Sequence, residues 1–115
     1  MFDCGDVLIV PVPFSDMSAT KQRPVIVITP QSYMEEANGD FIAVAVTSNS
    51  LERPHSMELV DDDLEEGRFP KPSRVRADKI FNLHRDQVKR RFGRIKKETL
   101  MRIVRLASQT LCSQD

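Results

Sequence analysis

Arg23, Thr47 and Ser48 are the residues of this chain best suited to act on a phosphate. Arg23 stands immediately before Pro24, whose ring drives its predecessor toward extended geometry, so the guanidinium projects from a defined backbone. The planar fork of an arginine grips two phosphate oxygens at once and keeps its charge at every physiological pH. Thr47 and Ser48 follow an apolar run that ends at Val46, and their hydroxyls can donate to a phosphate oxygen. Each residue also has a plainer reading. Arg23 can be a surface arginine ahead of a strand, and the two hydroxyls can close a strand through local backbone bonds.

The parts needed for other chemistries are missing. His55 and His84 would make an acid/base pair for RNA cleavage, yet both lie in polar loop sequence close to arginine and read as surface positions. The four glycines are isolated, so no glycine-rich phosphate loop forms. No nucleophile elbow and no histidine–carboxylate cluster can be assembled, and neither a metal nor a cofactor is expected. Cys4 and Cys112 sit at opposite ends without a CxxC spacing and read as free thiols.

The elements that must position Arg23 and Thr47 are strands. Val7 to Phe14 is apolar and β-branched, but Pro11 and Pro13 each remove a ladder donor, so part of this strand needs a free or bulged edge. Residues 24 to 29 form a buried strand, and Pro30 with residues 31 to 38 reads as a turn with a short helical piece closed by Asn38-Gly39. Phe41 to Thr47 is a third strand and Met57 to Val60 a fourth. Asp61 to Gly67 carries too much charge to pack and is expected to be an exposed acidic loop. Ser73 to Ile80 and Phe92 to Ile95 read as further strands. Leu100, Ile103, Val104, Ala107 and Leu111 form a helical stripe expected to dock on the sheet. Five or six short strands with one C-terminal helix predict a mainly β chain, a small bent antiparallel barrel in a single domain.

A chain of 115 residues builds one modest core. It has no run of about 18 apolar residues to span a bilayer, and its acidic N-terminus does not read as a secretion signal; the cytoplasm is the expected compartment. The formal net charge is zero, but residues 1–70 hold four basic against thirteen acidic side chains, and residues 71–105 thirteen basic against three acidic. That asymmetry permits a polyanion partner, because phosphate contacts depend on local potential. It is equally compatible with two halves that neutralise each other.

Taken in order, Gly5-Asp6, Pro13-Phe14, Arg23-Pro24, Val46-Thr47-Ser48, Pro72-Ser73, Ala77-Asp78-Lys79 and Phe92-Gly93-Arg94-Ile95 before a terminal helix make the chain similar to the MazF/PemK family of toxin endoribonucleases. The resemblance covers nearly the whole chain. It implies an SH3-like β-barrel with helices, usually a homodimer whose interface forms an RNA groove, and an antitoxin protein as partner. It also implies metal-independent cleavage of single-stranded RNA, in which the ribose 2′-hydroxyl attacks its own 3′ phosphate. By matching positions, Arg23 and Thr47 become the catalytic pair. Phe14, Ser15, Ser18, Thr20, Lys21, Ser48, Asp78 and Lys79 become substrate contacts, with the 15–21 loop covering the site. The general base is left between Asp16 and Asp78. The rival expectation is a non-catalytic nucleic-acid-binding or protein-interaction module of the same fold.

Overall fold

The computed structural model describes residues 2–12, 21–48 and 51–111. Seven strands form one antiparallel sheet: β1 (Asp6–Val12), β2 (Lys21–Val27), β3 (Asp40–Thr47), β4 (Ser56–Leu59), β5 (Leu64–Glu66), β6 (Ser73–His84) and β7 (Arg90–Ile95). Their order across the sheet is β4-β6-β3-β2-β1-β7-β5, curled into a half-barrel. Helix α1 (Gln31–Glu36) follows β2, and helix α2 (Lys97–Leu111) ends the fold.

The central strands are apolar in runs because both faces of the sheet are covered. On one face Val7, Ile26, Val44, Val46, Val75 and Ile95 pack with Ile103 of α2. On the other, Leu8, Val10, Val25, Val27, Phe41 and Ala43 pack with Met34 of α1. Pro11 behaves as its chemistry requires. β1 pairs with β2 out to Val12, but its pairing with β7 stops at Ile9, so the missing donor falls on an edge without a partner strand.

One expectation is overturned and another holds only in part. The acidic stretch after Val60 packs: Asp61–Asp63 make one 3₁₀ turn and Leu64–Glu66 pair with β7. Asp63 is buried because its carboxylate accepts hydrogen bonds from the Val60 N–H (2.9 Å), the Thr99 hydroxyl (2.8 Å) and Arg102 (3.0 Å). β5 can approach β7 closely because Gly93 lacks a Cβ, which would collide with the Glu66 carbonyl oxygen. The helix stripe holds in part, since Leu100, Ile103 and Ala107 pack as expected. Thr99, Ile103 and Ala107 are the buried line of α2, while Val104 is 39% and Leu111 72% exposed.

β6 runs four residues beyond its expected end. Ala45 pairs with Arg76 and Val44 with Ile80, so Ala77, Asp78 and Lys79 bulge out of the β3–β6 ladder. A bulge resets the alternation of faces, and this hides the continuation of the strand from any period-2 reading.

Candidate active site

β2 and β3 pair at Val25 with Ala45, Ile26 with Val44 and Val27 with Ala43. The Ile28 N–H donates to the Ile42 carbonyl at 2.9 Å, which makes the even-numbered residues of β2 the ones that bond toward β3. Pro24 is where that series would continue, and it has no N–H to give. The ladder stops at Val25. Carried two residues past its end, the same register sets Arg23 opposite Thr47. On their outer sides Arg23 is paired with Val10 of β1 and Thr47 with Arg74 of β6, so both are held by neighbouring strands.

Arg23, Thr47 and Ser48 line one cleft of about 260 Å³ at this open end of the sheet. The Nε of Arg23 is buried. Phe69, Lys71, Ser73, Arg90 and Phe92 complete the walls with Ile9 and Pro24. The rings of Phe69 and Phe92 stack with centroids 5.3 Å apart and planes 20° apart, and the Arg90 guanidinium lies 5.6 Å from the Phe92 centroid. The sequence reading missed Phe69. Its signal was an aromatic residue inside Arg68-Phe69-Pro70-Lys71, a pairing of cation and ring that single-stranded nucleic-acid surfaces use.

Other expected site residues are elsewhere. Phe14, Ser15, Ser18 and Thr20, together with Asp16, lie outside the described residues, and Lys21 opens β2. Asp78 and Lys79 sit in the β6 bulge and are not among the residues lining the cleft. Arg76 donates to both oxygens of Asp78 at 2.9 Å, and this charge-assisted fork holds the Asp78 carboxyl below its ordinary range against the opposing effect of burial.

Both histidines have structural work away from the cleft. His84 Nδ1 accepts from the Asp86 N–H at 3.1 Å, so Nε2 carries the proton and donates to the Asn38 carbonyl at 3.0 Å. The Thr110 hydroxyl gives its hydrogen to Leu106 O and therefore accepts from His55 Nδ1 at 2.8 Å. Among the described residues no group of three or more His, Cys, Asp or Glu side chains is placed to hold a metal ion.

The charge asymmetry is partly cancelled by the fold. Asp6, 2% exposed, accepts from Arg94 at 2.9 Å and Arg91 at 3.3 Å, and Arg91 reaches on to Glu66 at 2.8 Å. The acidic strands β1 and β5 thus flank basic β7 on both sides. Arg90, by contrast, faces the cleft.

Residues 3–111 match the model of the PemK-like, MazF-like toxins of type II toxin–antitoxin systems. The chain belongs to that family. Among solved structures it is similar to an endoribonuclease from a mycobacterial species in complex with its cognate antitoxin, with a TM-score of 0.74 and 19% identity over 96% of this chain and 95% of that one. MazF from Deinococcus radiodurans gives a TM-score of 0.73 at 19% identity, covering 95% and 94%. The Mycobacterium tuberculosis toxin MazF-mt6 gives 0.67 at 15% identity, covering 91% and 93%. These likenesses bear out the expected MazF-like β fold. No curated protein matches the chain.

Proposed function

We propose that this protein is the toxin of a toxin–antitoxin pair and cleaves single-stranded RNA without a metal. The observation that carries the reading is the placement of Arg23, in the part of β2 beyond its ladder with β3, opposite Thr47 at the end of β3 in one cleft, within a chain of the MazF-like toxin family. In-line attack of a 2′-hydroxyl on the adjacent phosphorus builds negative charge on the non-bridging oxygens. Donors held in advance of that charge are worth roughly 3 to 4 kcal/mol each. Arg23 supplies a two-pronged, permanently charged donor and Thr47 a hydroxyl. The P–O5′ bond then breaks and the departing oxygen takes up a proton from solvent, balancing the one the 2′-hydroxyl loses, which leaves a 2′,3′-cyclic phosphate and a 5′-hydroxyl. Arginine is a poor proton carrier because its pKa is so high, so its part is charge stabilisation.

Asp78 is poorly placed as the base that receives the 2′-hydroxyl proton. It is outside the cleft lining and committed to Arg76. The partner we infer is an antitoxin, supported by the structures of similar proteins with theirs; the functional unit is a homodimer, acting in the cytoplasm. Among the described residues no helix is long and apolar enough to cross a membrane.

The test is incubation of the purified protein with a mixed RNA pool in EDTA, followed by mapping of both new ends. Cyclic phosphate and 5′-hydroxyl ends at recurring short sequences are expected. Cleavage that EDTA abolishes and magnesium restores would overturn the mechanism, and binding without any cutting would leave the interaction-module reading.

A further inference from the structure

The cleft's aromatic wall stands beside the proposed catalytic pair and is used by neither residue. Phe69 and Phe92 stack on one another and pack against the first core from outside, each only half-buried. Phe69 also lines a second groove, of about 390 Å³, with Glu58, Val60 and Asp61. The Phe69–Lys71 segment is therefore a partition with the catalytic cleft on one side and an acidic groove on the other. Glu58 and Asp61 make the groove unfavourable to phosphate, whereas Arg90 lines the cleft alone and Lys71, on the partition itself, lines both.

From this arrangement we propose that the Phe69–Phe92 pair is the surface on which the nucleobase next to the cleaved phosphate lies, with Arg90 and Lys71 holding the adjoining backbone. The inference rests on the ribonuclease reading for the identity of the reaction, and assigns the base-contacting wall of that site. Bases are sequence-tolerant in stacking but differ in its strength. The pair thus sets affinity and base preference and leaves the chemical step to Arg23 and Thr47.

The test uses Phe69→Leu, which keeps the apolar packing and removes the ring, with Phe69→Trp as the aromatic control. The probes are mixed-sequence single-stranded DNA, which has no 2′-hydroxyl to attack, and an abasic strand of equal length. Phe69→Leu should bind the base-bearing strand about 5- to 100-fold more weakly than the wild type and the abasic strand equally well. On the RNA pool it should raise KM, hold kcat within about twofold and broaden the bases tolerated beside the cut. Phe69→Trp should retain wild-type binding. Equal losses on both strands, or no loss on either, would overturn the proposal. Should the wild type cut no RNA, the ribonuclease reading fails, and the base-against-abasic comparison still decides whether this wall binds bases.

Discussion

The hydroxyl of Thr99 donates to the Oδ1 of Asp63 across 2.8 Å, and this bond ties the first turn of the terminal helix to the barrel. The backbone strengthens it: the Lys96 N–H donates to the Asp63 carbonyl at 2.8 Å. A carboxylate near a helix N-terminus also complements the helix dipole. Sequence alone had placed this aspartate in a solvated loop.

Asp63→Ala should therefore lower stability by about 2 to 3 kcal/mol, since hydrogen bonds to a charged group are lost and the Val60 N–H and Thr99 hydroxyl are left without it. Asp63→Asn should cost less. Urea midpoints for the two variants check this, and an unchanged midpoint for the alanine variant would contradict the docking role.

Arg23→Ala should reduce cleavage of RNA by at least ~10²-fold with folding intact, by analogy with removal of an oxyanion donor. Thr47→Val keeps the shape of the side chain without the donor and should lose activity likewise. Arg23→Lys should recover little, because a point charge cannot reproduce the fork. Single-turnover rates at saturating RNA are the measurement; near wild-type rates in folded variants would remove these residues from the mechanism.

An RNA with a single 2′-deoxy sugar at the mapped cut should bind with wild-type affinity and resist cleavage at that bond only. Efficient cutting there would mean that the nucleophile is not the 2′-hydroxyl.

The Arg76–Asp78 pair gives a pH dependence of defined sign. Arg76 lowers the Asp78 pKa in the folded protein, so the pair's contribution is complete above the ordinary carboxylate value and disappears as pH falls through the lowered one. The stability gap between wild type and Asp78→Asn should be constant from pH 8 to 5 and shrink below about pH 4. The gap is expected to be small, because Asp78 is partly exposed and screened. Chemical denaturation across this range reads it, and a gap that widened in acid would contradict the assignment.

What could be read from the sequence was governed by how uniformly each segment is solvated. β1, β2 and β3 are buried on both faces, so Val7–Val10, Val25–Val27 and Phe41–Val46 announce themselves as apolar runs. β5 carries Glu65 and Glu66 on its exposed positions and owes its existence to the glycine opposite it, which no local pattern reveals. Asp63 looks like its neighbours until partners from 36 and 39 residues away arrive. The same holds for the cleft. Arg23 and Thr47 stand out by type, but only the register of β2 with β3 sets them opposite one another, and Phe69 reaches the cleft through its contact with β7.

Pro24 gives the sheet a seam that is left open, and the cleft occupies that opening. A residue with an N–H at this position, such as Pro24→Val, would let the two strands zip further toward Arg23 and Thr47. The repaired sheet would gain a ladder bond and narrow the space that the proposed mechanism gives to a phosphate. Sturdiness and reactivity thus pull in opposite directions at one atom, the ring nitrogen of Pro24.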